Sequence, residues 1–80
     1  MTAIKFTGEY NYKQRVYRDK VYRYLETDTM DKRIYLKDDC IIVGGEFKDD
    51  EVYGVKAMCE ASISQNGNLS FTAYCVEIIA

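Results

Sequence analysis

The 80-residue sequence contains no histidine, no tryptophan and no proline, and it has only three cysteines. Without histidine, the chain lacks the commonest general base and a frequent metal ligand. A serine or cysteine nucleophile would have to rely on Lys, Asp or Glu as its base. No nucleophile elbow, phosphate-binding glycine loop or dinucleotide-binding motif occurs. We therefore expect a protein that is not an enzyme and binds no cofactor.

The three cysteines are widely spaced and form no Cys-x-x-Cys pair; they are Cys40, Cys59 and Cys75. An odd number of cysteines in a chain without a secretion signal favours free, buried thiols over a disulfide framework. Structural zinc takes four Cys or His ligands, and this chain cannot supply them. Its acidic stretches also lack the spaced carboxylates of a calcium loop. The sequence thus predicts no metal site.

Long hydrophobic segments are also missing. The longest apolar run, Cys40–Val43, has four residues, whereas a membrane-spanning helix needs about 18. The first ten residues alternate polar and apolar types, so they contain no signal-peptide core. We expect a cytoplasmic protein without a membrane anchor, folded as one compact domain over residues 1–80.

The charges are distributed unevenly. Residues 10–25 carry five basic side chains against Asp19 alone, whereas residues 26–51 carry nine acidic side chains against four basic ones. The basic stretch is also rich in tyrosine. A surface with two oppositely charged regions can steer a charged partner, although solvation of two exposed faces would produce the same pattern.

The sequence predicts an α+β fold, with one helix packed across an antiparallel β-meander of about four to five strands. Alternation from Ile4 to Tyr10 indicates an N-terminal strand. A capping box at 11–14 and an apolar stripe indicate a helix near residues 12–26; the stripe is Tyr17, Val21, Tyr24 and Leu25. Because Tyr and Val favour strands, a hairpin over residues 14–26 is the alternative.

Two Lys-Asp-Asp sequences, at 37–39 and 48–50, predict turns between successive strands of the meander. The strongest local pattern is a final hairpin formed by residues 52–64 and 68–79. A three-residue loop with Gly67 in a left-handed conformation would place Ile63 opposite Leu69 on matching faces. The inward side chains of this hairpin are mostly small, and we expect large residues of the helix to fill the space above them.

The outward face of the last strand is apolar rather than polar. It combines Tyr74, Val76 and Ile78, with Met58 on the neighbouring strand. An apolar patch of this kind is either covered by another element or is a contact surface. The sequence therefore leaves a homodimer through these four residues as a possibility.

Two functions are compatible with these features. The first is a non-enzymatic protein-binding module whose acidic turns mimic nucleic acid and bind a host protein; its contacts would be Asp38, Asp39, Asp49, Asp50 and Glu51. Small acidic inhibitors encoded by phages and other mobile elements, such as anti-CRISPR proteins, offer an analogy based on size and charge only. The alternative is a small nucleic-acid-binding domain that uses the basic segment 12–26, with contacts at Arg15, Arg18, Tyr22 and Arg23.

Overall fold

A computed structural model describes residues 2–79 and shows five strands and no helix in this range. The α+β prediction is therefore wrong: the protein is all-β. The strands are β1 (Thr2–Tyr17), β2 (Lys20–Glu26), β3 (Ile34–Val43), β4 (Glu51–Ile63) and β5 (Leu69–Ile78).

The five strands close into a barrel in the order β1-β2-β3-β5-β4, with β4 pairing back onto β1. Four of the five pairings are antiparallel, but β3 and β5 run parallel. A meander would have only antiparallel neighbours, so this part of the prediction is also wrong. Because β5 lies between β3 and β4, the connection from β3 to β4 must pass over the end of β5.

The segment predicted as a helix is a β-hairpin. Tyr12 lies opposite Leu25 in the β1–β2 ladder, and both side chains are buried in the core. A helix would have placed these two residues more than three turns apart. Of the predicted apolar stripe, Tyr17 is 60% exposed and Val21 is 46% exposed. Burial of the hairpin's base, together with the strand preference of Tyr and Val, outweighs the local helical pattern.

The hairpin turn is unusual because both of its central residues have a left-handed backbone. Arg18 has φ 51° and Asp19 has φ 64°, the signature of a two-residue type I′ turn, for which Asn-Gly is the preferred sequence. A left-handed conformation costs an ordinary L-residue about 1–2 kcal/mol. Arg18 thus occupies a conformation that it does not favour, whereas Asp19 tolerates its own better than most residues would.

Replacing Arg18-Asp19 with Asn-Gly should increase the free energy of unfolding by about 1 kcal/mol, because the new residues adopt the turn with less strain. Urea denaturation followed by circular dichroism measures the change. Arg18→Ala is the control, since alanine keeps the unfavourable φ and should give no gain. Equal stability of the Asn-Gly and alanine variants would show that the turn is not strained.

The turn of the final hairpin and the register beside it were predicted correctly. Ile63 pairs with Leu69 and Ala61 with Phe71, and Gly67 has φ 82°. The amide of Ser64 donates to the carbonyl of Asn68 at 2.9 Å, which closes the three-residue loop. Side-chain alternation and the turn sequence together determine this register.

The two Lys-Asp-Asp sequences behave differently. Residues 48–50 form the predicted turn, in which the amide of Glu51 donates to the carbonyl of Lys48 at 3.3 Å. Residues 37–39 lie within β3 rather than in a turn. The β3–β5 ladder shifts register between Leu36 and Ile41, so this stretch is the irregular part of the strand.

The core combines small residues of β4 and β5 with larger side chains from all five strands. Ala57, Cys59 and Ala73 are fully buried, as the alternation in the final hairpin predicted. The space above them is filled by strands instead of a helix; the larger buried residues are Tyr10, Tyr12, Leu25, Ile34, Val55 and Val76. Pairing large with small residues allows close packing in a narrow barrel.

Candidate nucleic-acid interface

The β1–β2 hairpin extends beyond the barrel wall as a two-stranded ribbon. Pairing of β1 with β4 ends at Tyr12 and Glu51, whereas pairing of β1 with β2 continues to Tyr17 and Lys20. On the other side, β2 pairs with β3 at only two positions, the first being Tyr24 with Tyr35. Residues 13–23 therefore have no neighbouring strand on either edge among the described residues.

Tyrosines alternate with basic residues across the outer surface of this ribbon. The directly opposed pairs are Tyr17 with Lys20, Arg15 with Tyr22, and Lys13 with Tyr24. Side chains of opposed residues point to the same side of a sheet and lie close together. The ladder therefore places a ring next to a positive charge at three successive positions.

β3 extends this surface. The rings of Tyr24 and Tyr35 lie 5.5 Å apart between centroids, and the guanidinium of Arg33 lies 4.5 Å from the centre of the Tyr24 ring. On the ribbon, the ammonium of Lys20 lies 5.3 Å from the centre of the Tyr22 ring. Such cation–π contacts hold charged groups beside the aromatic faces. We call this surface the basic aromatic face; it comprises Arg15, Tyr17, Lys20, Tyr22, Tyr24, Arg33, Tyr35 and Lys37.

The basic aromatic face surrounds a concavity of about 720 Å³ between the ribbon and β3. Five basic side chains and one acidic side chain, that of Asp38, line it. Three rings remain accessible: Tyr17 is 60% exposed, Tyr22 36% and Tyr35 38%. Tyr24 is buried beneath its neighbours and supports them. The site is thus locally positive in a chain whose net charge is −2.

The structure places the four residues predicted for a nucleic-acid contact in different surroundings. Arg15 and Tyr22 belong to the basic aromatic face. Arg18 lies at the ribbon tip, with its guanidinium 5.3 Å from the centre of the Tyr17 ring. Arg23 instead donates to the backbone carbonyls of Lys37, at 2.9 Å, and Asp38, at 3.4 Å. Its guanidinium joins β2 to β3 where the regular ladder is absent.

Sequence reasoning missed several residues of this face. Tyr17 and Tyr24 were assigned to the buried stripe of the predicted helix, and the contributions of Arg33, Tyr35 and Lys37 were not anticipated. The alternation in Lys20-Val21-Tyr22-Arg23-Tyr24 was the available signal, since a strand would place Lys20, Tyr22 and Tyr24 on one side. The β3 residues reach the site only because the barrel places β3 beside β2.

The five acidic residues predicted to contact a partner do not form one continuous free surface. Asp49 and Asp50 make ion pairs with β1, to Arg15 and Lys13. Hydrogen bonding from Lys13 lowers the pKa of the Asp50 carboxyl below its usual value. Asp38 and Asp39 are exposed in the irregular part of β3. The Glu51 carboxylate accepts a 3.1 Å hydrogen bond from the Tyr53 hydroxyl.

The apolar face suggested for a homodimer is not continuous either. The β4–β5 ladder shifts register between Met58 and Cys59, which leaves Tyr74 without a paired partner. This bulge turns Val76 into the core, where it is fully buried, and Ile78 packs against the same core. The four residues therefore do not share one outer surface, because a bulge reverses which side chains point inward.

All three cysteines are free thiols, and among residues 2–79 no three Cys, Asp or Glu side chains are grouped closely enough to hold a metal ion. Cys59 is fully buried. Burial, with a smaller contribution from Cys40, raises the pKa of the Cys59 thiol from 9.0 to about 11. A thiol that keeps its proton is a poor nucleophile, so Cys59 is a core residue.

Cys59 should make the stability of the barrel pH-dependent in alkaline solution. Between pH 9 and 11 the unfolded thiol loses its proton while the folded thiol keeps it, so the free energy of unfolding should fall as the pH rises. Urea denaturation at pH 8 and pH 10.5 measures the loss. Cys59→Ala should lose less stability over the same interval, and an equal loss in both proteins would assign the effect to other groups. Iodoacetamide at pH 8 should leave native Cys59 unmodified.

Comparison with protein families, with curated proteins and with solved structures finds no match to this chain. Residues 2–79 contain no helix of the length and apolar character that a bilayer span requires.

Proposed function

We propose that this protein is a non-catalytic binding domain for single-stranded nucleic acid, which it holds on the basic aromatic face. The observation that carries the proposal is the alternation of accessible rings and positive charges along the ribbon and β3. Bases of a single strand stack on aromatic side chains while its phosphates contact Lys and Arg. A duplex keeps its bases stacked inside and cannot use the rings in this way.

The architecture supports the same function. A five-stranded Greek-key barrel is the design of the OB-fold, in which the surface of strands 2 and 3 binds oligonucleotides. Five of the eight residues of the basic aromatic face lie on β2 and β3 here. This likeness concerns strand order alone and adds to the chemistry of the site rather than replacing it.

With three free cysteines, a reducing compartment such as the cytoplasm suits the protein.

Fluorescence anisotropy tests the proposal directly. Labelled 12-nucleotide single strands of DNA and RNA, and a duplex of the same sequence, are titrated with protein at 50 and 200 mM salt. We expect the single strands to bind more tightly than the duplex. Affinity should fall with salt, with a logarithmic slope of about −0.7 for each phosphate contacted. Absence of binding at 50 mM salt, or a preference for the duplex, would rule out the proposed function.

A second candidate function is the binding of a partner protein at β3. Beyond the two carbonyls that accept from Arg23, the edge of β3 has no ladder with β2, and its exposed residues combine Asp38 and Asp39 with Ile41, which is 62% exposed. An open strand edge can accept an extended segment of another protein. A host-protein inhibitor could use this edge, with Asp38 and Asp39 selecting a basic segment. Lys substitution at both positions should abolish capture of such a partner and leave nucleic-acid binding intact.

A further inference from the structure

We infer that Lys13 and Arg15, together with the backbone amide of Gln14, form a binding site for a phosphodiester group that the side chains of Asp49 and Asp50 now occupy. The site borders the basic aromatic face and extends the path of a bound strand along β1. This inference rests on the proposed function, because it names the part of the ligand that binds there.

Donors from three consecutive residues converge on the two carboxylates. The amide of Gln14 donates to Oδ1 of Asp49 at 2.8 Å, and Nη1 of Arg15 donates to both oxygens of the same carboxylate, at 3.0 and 3.2 Å. Nζ of Lys13 donates to Oδ1 of Asp50, which also lies 3.8 Å from Nη2 of Arg15. A guanidinium, an ammonium and a backbone amide are the donors that bind phosphate oxygens in proteins.

The Asp49 carboxylate stands in for a phosphate in this arrangement. A carboxylate is planar and a phosphate is tetrahedral, but each is an oxyanion that can accept two hydrogen bonds from one guanidinium. The carboxylates are solvent-accessible, with side-chain exposures of 45% for Asp49 and 58% for Asp50. Exposed ion pairs of this kind contribute little to stability, so an incoming polyanion can displace them.

The loop that carries the two carboxylates is fixed beside β1. The amide of Asp50 donates to the carbonyl of Tyr12 at 2.8 Å, and Asp50 has a left-handed backbone with φ 66°. Asparagine tolerates this conformation at least as well as aspartate. Neutral variants at both positions can therefore keep the loop in place while removing the competing charge.

The connection of Arg15 to the face distinguishes this site from an ordinary surface ion pair. Arg15 lies directly opposite Tyr22 in the ladder and lines the concavity. A base stacked on Tyr22 would bring its own phosphate to the same side of β1. The carboxylates thus compete with the ligand for Lys13 and Arg15, and they weaken binding to the wild-type protein.

The test compares Asp49→Asn/Asp50→Asn with wild type in anisotropy titrations of a 12-nucleotide single strand. We expect about tenfold tighter binding at 50 mM salt and a logarithmic salt slope steeper by about 0.7, as one further phosphate contact would produce. Glu9→Gln/Glu77→Gln is the matched control. This control changes the net charge by the same amount as the Asp49/Asp50 variant, and its two residues do not line the concavity. Thermal melts confirm that both variants are folded.

The outcomes separate this inference from the proposed function. Tighter binding by the Asp49/Asp50 variant alone supports the phosphodiester site. An equal gain in both variants shows that net charge alone acts and overturns it, as does no gain at all when the wild type binds. If neither the wild type nor any variant binds the strand at 50 mM salt, the proposed function and the inferred site both fail.

Discussion

Gly44→Ala should unfold the barrel or cost about 3 kcal/mol or more of its stability. Gly44 begins the connection that passes over the end of β5, and it has φ 91°. A β-carbon at this position would collide with the backbone carbonyl oxygen of Ile78. A left-handed alanine costs about 1–2 kcal/mol, and forcing the two backbone segments apart adds a comparable amount. The total free energy of unfolding of an 80-residue domain is only about 4–12 kcal/mol.

Gly67→Ala is the matched control for this prediction. Gly67 has a similar φ of 82°, but a β-carbon there would meet no atom within 4 Å. Its substitution should cost only the conformational penalty, about 1–2 kcal/mol. Urea denaturation of both variants separates the two contributions. Equal losses at the two positions would mean that the chain can relax around Gly44 and that the close approach to β5 is unimportant.

Simultaneous replacement of Tyr22 and Tyr35 by alanine should weaken binding of single-stranded nucleic acid at least thirtyfold. Each base stacked on an aromatic ring contributes about 1–3 kcal/mol, and these two rings lie on adjacent strands at the centre of the face. Anisotropy titration with the 12-nucleotide strand measures the loss. The salt dependence should change little, because the basic side chains that contact phosphates remain.

Phenylalanine at both positions is the control, since it keeps the rings and removes only the hydroxyl groups. Affinity within about threefold of wild type is expected, because stacking uses the ring rather than the hydroxyl. Tyr35 lies 5.5 Å from Tyr24, so the melting temperature of each variant must be measured alongside binding. If a folded alanine variant binds as tightly as the wild type, the rings do not contact the bases.

The parts of the fold that depend on residues close together in the sequence could be predicted from the sequence alone. The register of the final hairpin follows from alternation in Ala57, Cys59, Ala61 and Ile63 and from a turn containing Gly67. The stretch from Ile4 to Tyr10 was likewise recognised as a strand. In each case alternate residues of the strand face the core, so the pattern of apolar residues reports its orientation.

Residues 12–26 could not be assigned in this way, because the ribbon extends beyond the core. Tyr17 and Val21 are apolar but exposed, so they completed a helical stripe without marking a buried face. Because the ribbon extends beyond the core, the basic aromatic face was also only partly predicted. Arg15 and Tyr22 were recognisable as a basic and aromatic combination, whereas Tyr35 joins them through strand pairing that no local pattern encodes.

The parallel pairing of β3 with β5 could not be predicted from the sequence either. It joins Leu36 to Ala73 and Val43 to Glu77, with a complete strand between them along the chain. The register shift in the same ladder places Lys37–Cys40 in an irregular stretch, where Asp38 and Asp39 resemble turn residues. The turn predicted at 37–39 is therefore wrong: the pairing is irregular there, but the chain continues in the same direction as one strand.

The double pairing of β1 has a consequence for how the chain folds. Its second half pairs with β2 across a two-residue turn, whereas its first half pairs with β4, where Thr2 meets Ala61. Contacts between residues close in sequence form in microseconds, and contacts between distant residues form far more slowly. The ribbon should therefore appear early, and barrel closure should set the overall folding rate. A chain emerging from the ribosome would expose its tyrosine-rich hairpin before the strands that complete the barrel had been synthesised.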